Sequence, residues 1–365
     1  MFIFYDESIL SYVSSIRDYL GLESSYNPNQ KFKELLYKEK PNKLFLILID
    51  GMGANLIEKY LDKGSFLRLN MLYKVQTVFP TTTTAALTSI QNGKAPNENG
   101  WLAWIQYLKD IDEFIVPFQN KGYYNEKPYG DNFFINKMPV KTTADDLKEK
   151  GIKAGSIFPD YSKKEHYSIN EFVTAILESD KNEDNKYTFC YFDGYDSLMH
   201  KKGPSCKESI DLLKEIDKEI KRLSNDISND SMFVVVADHG QIDVEETIIL
   251  KNSEFDKYLK RYTYFDPRAV GFDIKDDLKE EFEKEFLNKY EDDYVLLNKK
   301  QIISTRLFGY NKSHPKFEEM LPDYIAIGKT KKIMYTTDPP HPFLGHHTGI
   351  HDDEVYVPVI VYKKR

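Results

Sequence analysis

"KLFLILIDGMGANLIEKYL", Lys43–Leu61, decides the architecture. Its apolar run up to Ile49 has the length of a strand and no interior charge, so it reads as a strand buried on both faces. Asp50-Gly51-Met52-Gly53 breaks the run, and "ANLIEKYL" restarts it with the spacing of a helix. Working outward, the same alternation recurs. "LYKVQTVF" (Leu72–Phe79), "KAGSIF" (Lys153–Phe158), "KYTFCYFD" (Lys186–Asp193), "SMFVVVAD" (Ser231–Asp238) and "VYVPVIVY" (Val355–Tyr362) read as further strands. Between the fourth and fifth of these six, Ile210, Leu213, Ile216, Ile220 and Leu223 recur at helical spacing. Strands alternating with helices predict an α/β fold with a mainly parallel central sheet and helices on both faces.

The regularity breaks after Gly240. From Val244 to Lys332 the chain is rich in charge and tyrosine and includes "PRAVGFDI", "DDLKEEFEKEFLNKY" and "YVLLNKK". We read residues 244–332 as a small α+β insertion, a cap on a catalytic core formed by 1–243 and 333–365. A strand at 323–328 ("DYIAIG") is expected to rejoin the core sheet. The N-terminus, "MFIFYDESILSYVSSIRDYLG", reads as a short strand and an amphipathic helix carrying Ile9, Val13, Ile16 and Leu20.

Composition narrows the function classes. Lys+Arg of 50 against Asp+Glu of 58 gives a net charge of −8, with no basic stripe, so a nucleic-acid polymer is not the expected partner. The two cysteines, Cys190 and Cys206, leave no disulfide framework and no Cys-rich zinc site. Asp6 and Glu7 stand where a signal peptide carries positive charge, and no apolar run reaches the roughly 20 residues of a membrane span. A cytoplasmic protein without membrane association is the expectation.

In open α/β sheets the working residues lie beyond the carboxyl ends of the strands. Those places hold Asp50, then the threonines of "VFPTTTTAALTSIQNG" (Val78–Gly93), then Asp193, Asp196 and His200 in "DGYDSLMH". Asp238 and His239 in "VVVADHG" and the histidines of "GHHTGIH" (Gly345–His351) complete the set. Each alone is ordinary, since an Asp at a strand end is commonly a turn or cap residue. Together, carboxylates and imidazoles form the ligand set of zinc, manganese or iron. Asp196 and His200, four apart, meet one ion if "SLMH" is helical. Asp238 and His239 share one only from a bent backbone, which Gly240 permits. That suffices for two ions, which clamp the attacking and leaving oxygens of a phosphoryl displacement and make a nearby hydroxyl a better nucleophile.

"DGMG", "FPTTTTAALTSIQNG", "DSLMHKKGP", "ADHG" and "GHHTG", in this order, resemble the alkaline phosphatase superfamily, and within it the type I phosphodiesterase/nucleotide pyrophosphatase family. The resemblance runs from about Lys43 to Tyr362. It implies an alkaline phosphatase-like fold and two zinc ions, with manganese or another divalent metal as substitutes. One ion would be held by Asp50, the nucleophile, Asp238 and His239, the other by Asp196, His200 and His347. The family's G-x-H-x-G selects His347 over His346. Counting from Pro80 and back from Gly93, the resemblance makes Thr83 the nucleophile, while Thr81 or Thr82 reads as the helix N-cap.

The family's phosphate-binding asparagine is replaced by Trp104, with Asn99 or Gln106 as displaced candidates for substrate contact. The implied reaction is hydrolysis of phosphodiester or nucleotide pyrophosphate bonds through a phosphothreonine, on a small phosphorylated substrate such as a nucleotide. A phosphomonoesterase or phosphonate hydrolase is the alternative, and it needs an added cation such as Arg268 or Arg306. A non-catalytic metal-bound ligand-binding protein is the other.

Overall fold

The computed structural model describes residues 3–159, 167–339 and 343–364. Ten strands matter for the site: β1 (Lys43–Ile49), β2 (Met71–Gln76), β3 (Ala154–Ile157), β4 (Tyr187–Phe192), β5 (Ser231–Val236), β6 (Tyr264–Asp266), β7 (Ala269–Phe272), β8 (Tyr294–Asn298), β9 (Tyr324–Gly328) and β10 (Tyr356–Lys363). The central sheet has the order β2-β10-β5-β1-β4-β3. Its β5, β1, β4 and β3 run parallel, and β10 is antiparallel to both of its neighbours. Every residue of β1, β4 and β5 is buried. That double-sided burial is why these strands read as continuous apolar runs.

Register sets the site. Ile49 is paired with Phe192 and Leu48 with Val236, so Asp50 and Asp238 emerge at the same edge of the sheet. The longer of the two helices between β4 and β5 spans Lys207–Asp226 and buries Leu213, Ile216, Ile220 and Leu223 against the sheet. The N-terminal helix, Ile9–Tyr19, has the expected apolar face, but a 3-10 turn at Tyr5–Glu7 precedes it instead of a strand. The Tyr5 ring packs in the core and its hydroxyl donates to the Leu307 carbonyl, which anchors a turn rather than an extended edge. No helix among the described residues is long and apolar enough to cross a membrane.

The cap departs from expectation in two ways. The strand at 323–328 does not rejoin the central sheet: β9 lies between β7 and β8, antiparallel to both, in the order β6-β7-β9-β8. Both of its hydrogen-bonding edges are taken within the insertion. Residues 101–138, read as core from sequence, contribute Trp101, Leu102, Ile105, Phe134 and Met138 to a second apolar cluster shared with Phe265, Phe308 and Ile325 of the insertion. A backbone pair between Ile105 and Phe265 stitches the two segments together. The cap is thus built from two stretches of chain, and sequence separation concealed the first.

Candidate active site

Asp50 follows β1 and is 2% exposed. Its Oδ2 accepts from the Tyr191 hydroxyl and lies 3.5 Å from the Thr83 hydroxyl. Its Oδ1 is buried without a hydrogen-bond partner. Beyond β5, Asp238 Oδ1 accepts from the backbone amides of Gly51 and His239, whereas its Oδ2 also has no partner. His239 Nε2 stands 3.4 Å from Asp50, 3.5 Å from Asp238 Oδ2 and 3.2 Å from the Thr83 hydroxyl.

Thr83 is the first residue of the helix Thr83–Asn92, which Gly93 ends in a left-handed conformation. The first amides of such a helix lack intrahelical acceptors, so they and the helix dipole face whatever anion approaches the Thr83 hydroxyl. Thr82 is the N-cap residue, but its hydroxyl makes no capping bond. Thr81 does different work. Its hydroxyl donates to the Gly349 carbonyl and accepts from the Thr348 amide, and its carbonyl accepts from His347 Nδ1. Thr81 therefore ties the turn before Thr83 to the late histidine loop.

The second group sits alongside. Asp196 and His200 occupy one face of the helix Gly194–Lys202, with Asp196 Oδ2 3.2 Å from His200 Nε2. His347 Nε2 lies 3.2 Å from His200 Nε2 and 3.9 Å from Asp196 Oδ1. Asp193 takes the N-cap position of that helix, outside both groups. His346 turns its Nδ1 back to its own strand's backbone at His347.

Tautomers follow from the carbonyls. His239, His200 and His347 each place Nδ1 within 3.0 Å of a backbone carbonyl, of Gly240, Gly345 and Thr81 respectively. A carbonyl only accepts, so each Nδ1 carries the proton and each Nε2 presents a lone pair. Two such lone pairs face each other between His200 and His347. The repulsion is relieved by a proton or a cation between them.

Electrostatics point the same way. Burial, reinforced by Asp238 and Asp196, pushes the Asp50 carboxyl well above the usual range. Burial and the nearby Asp196 also raise Asp238. Against the same burial, the imidazoles of His200, His347 and His239 hold Asp196 far below its ordinary value. His347 is driven well down by burial and by His239, whose ring stacks on it at 3.7 Å. Asp50, Asp238 and His239 form one cluster whose ligand atoms lie within 4.8 Å of each other, and Asp196, His200 and His347 form another. Orphaned carboxylate oxygens, opposed imidazole lone pairs and N/O donors suit divalent cations.

The other candidates for substrate contact have structural partners of their own. Asn99 is buried with its amide donating to the Ser89 hydroxyl and the Lys94 carbonyl and its oxygen accepting from Trp101. Its amide braces the loop that it closes. Gln106 likewise spans Leu102 and Gly100. Trp104 is half-buried against the cap cluster, and its backbone amide donates to Asp266. Arg268 is fully buried in a bidentate pair with Glu354, and Arg306 is exposed. Sequence reasoning missed Gln241, whose amide donates to Asp196, and Asp266 of the cap. Gln241 stood two residues after His239, where a search for second partners of the ligands would have found it.

The chain matches the family model described as type I phosphodiesterase / nucleotide pyrophosphatase over residues 44–348. A GPI ethanolamine phosphate transferase 2 from Kluyveromyces lactis is 24% identical over 227 residues, 58% of this chain but 28% of that protein. The chain thus spans under a third of the length of this relative. Among solved structures, an inactive murine ectonucleotide pyrophosphatase/phosphodiesterase 5 in complex with AMP superposes with a TM-score of 0.68 at 15% identity, covering 88% of both chains. Phosphonoacetate hydrolase from Sinorhizobium meliloti, in complex with phosphonoformate, does so with a TM-score of 0.65 at 15% identity, covering 89% of this chain and 91% of that one.

Proposed function

The chain belongs to the type I phosphodiesterase/nucleotide pyrophosphatase family, a family of metal-dependent phosphoester hydrolases, and on that premise we propose that it hydrolyses phosphodiester or nucleotide pyrophosphate bonds through a phosphothreonine at Thr83. One observation carries the reading. The Thr83 hydroxyl opens a helix, 3.2 Å from His239 and 3.5 Å from Asp50, with the Asp196–His200–His347 group beside it.

Asp50, Asp238 and His239, with Thr83, would hold one zinc ion; Asp196, His200 and His347 would hold the other. Bound there, the ions supply positive charge that lowers the pKa of a nearby hydroxyl or water and neutralises phosphoryl oxygens. The protein does the rest. First-turn amides orient the non-bridging oxygens, and Thr83 Oγ1 attacks phosphorus in line. The Oγ1–P bond forms as the bond to the leaving oxygen breaks, and that oxygen departs as the alcohol or phosphate. Water then cleaves the phosphothreonine and restores the hydroxyl.

The arginines favour a diester. A monoester carries an extra charge that wants a cation, yet Arg268 is committed to Glu354 and Arg306 is exposed. Rapid acid quenching during turnover of a nitrophenyl phosphodiester, followed by mass spectrometry, tests the intermediate. The reading expects one phosphoryl adduct on the peptide bearing Thr83. Turnover with no adduct on that peptide, at any quench time, rejects the covalent route.

A further inference from the structure

Large apolar side chains that stay exposed are scattered over the surface, and singly they need no explanation. Among the described residues, Phe343 and Leu344 are the only two that are consecutive in the chain, at 37% and 51% exposed. They stand at the rim of the candidate active site. The Phe343 ring lies 4.7 Å from the imidazole of His200 and 5.4 Å from that of His346, centre to centre. Its exposed part is apolar surface beside the reacting groups, and an apolar ligand there would remove it from water.

The segment that carries the pair is held from both sides. The Leu344 amide donates to the His200 carbonyl, in the last turn of the helix Gly194–Lys202, and the Leu344 carbonyl accepts from the Val244 amide. Gly345 and His346 pair antiparallel with Asp243 and Ile242. The Gly345 carbonyl accepts from His200 Nδ1. The backbone that sets the tautomer of His200 therefore also sets where Phe343 stands.

A chain of contacts leads to Phe343 from the Thr83 hydroxyl. Thr83 Oγ1 is 3.2 Å from His239 Nε2, and the His239 ring stacks on His347 at 3.7 Å. His347 Nε2 is 3.2 Å from His200 Nε2, and the His200 ring meets Phe343. An in-line displacement expels its leaving oxygen on the side of phosphorus opposite the attacking one. Seen from Thr83, the Asp196–His200–His347 group stands on that side and Phe343 lies beyond it. From this order, and resting on the phosphodiesterase reading above, we infer that Phe343 is a specificity-determining residue that receives the leaving group of the diester, and that this group is apolar and aromatic. Its ring stacks on the exposed phenyl face, and Leu344 extends the apolar surface at the rim.

Benzyl methyl phosphate tests this within one molecule. Methanol and benzyl alcohol are closely similar in acidity, so the two P–O bonds differ little in intrinsic reactivity. The zinc-loaded chain should release benzyl alcohol over methanol by at least about tenfold, the preference that a stacked ring provides. That ratio is read within one reaction, so it does not depend on the fraction of chain that is loaded or active. It should fall to about one in Phe343→Ser and persist in Phe343→Tyr, which keeps the ring. The backbone bonds of the segment do not use the side chain, so both variants keep the fold. A ratio near one in the parent, one unchanged in Phe343→Ser, or one lost in Phe343→Tyr as well overturns the assignment and leaves the phosphodiesterase reading in place. Binding decides the case in which neither bond is cleaved. In titration calorimetry, zinc-loaded Thr83→Ala should bind benzyl methyl phosphate about tenfold more tightly than dimethyl phosphate, and adding Phe343→Ser should abolish the difference. If the parent cleaves neither bond but this preference and its loss are seen, the aromatic contact stands and the hydrolytic reading falls. No cleavage together with equal affinities rejects both.

Discussion

Arg268–Glu354 and Asp50–Asp238–His239 are both buried groups of charge, yet one is saturated by its own neighbours and the other is not. Glu354 accepts two bonds from Arg268 and one each from the Gly349 and His351 amides. Arg268 also donates to the carbonyls of Lys332 and Gly328. The result ties the cap to the loop that carries His347. Asp50 Oδ1 and Asp238 Oδ2, by contrast, are buried with no partner. The difference separates structure from chemistry: a closed charge network holds geometry, and an open one awaits a ligand.

Substitutions at the two regions should therefore fail in different ways. The largest effect is expected from Thr83→Ala, which removes a hydroxyl but no packing that the fold depends on. Diesterase activity should drop by at least about a thousandfold with an unchanged melting temperature. A variant within about tenfold of the parent would erase the contrast by showing that the open site does not react through this hydroxyl.

Arg268→Met should do the reverse. Leaving Glu354 as an uncompensated buried charge is expected to cost about 3–5 kcal/mol in denaturant unfolding. Adding Glu354→Leu should recover part of that loss, because the charge goes although the Gly349 and His351 amides lose their acceptor. A neutral single variant would mean that the closed network contributes nothing to the fold.

Two smaller effects sharpen the comparison. Gln241→Leu removes the amide that holds Asp196, and zinc affinity at that group should weaken by about 10–100-fold in a chelator competition. Asp266 gives a pH signature. Its pKa is raised from 3.8 to about 8 on folding. Its stabilisation is therefore fully present below the unfolded pKa and is lost as pH rises to the folded one. Between about pH 4 and pH 8 the chain should lose up to about 1.4 kcal/mol of stability per pH unit from this group, a slope that Asp266→Asn abolishes. Identical pH profiles for the two proteins would show that the carboxyl finds a partner in solution.

Much of this was legible in the sequence because the central strands are apolar on both faces and end in polar residues. Asp50 and Asp238 follow such runs directly, and Asp196 and His200 share a helix face by their spacing alone. What stayed hidden depends on contacts between distant stretches. Arg268 meets Glu354 across 86 residues, and Asp266 meets the Trp104 amide across 162. No local periodicity encodes either pairing. The strand at 323–328 was recognisable as a strand, but its partners, β7 and β8, were set by cap packing. Asn99 had the right chemistry for a phosphate, and only the structure shows its amide spent on the loop it closes.

The open character of the ligand groups is most directly tested by metal content. The chain, Asp238→Asn and His347→Ala would each be saturated with zinc, desalted and measured by plasma mass spectrometry. The account predicts about two ions per chain for the parent and about one for each variant, the two variants losing different ions. No tightly held zinc in the parent, or the same content in all three, would contradict it.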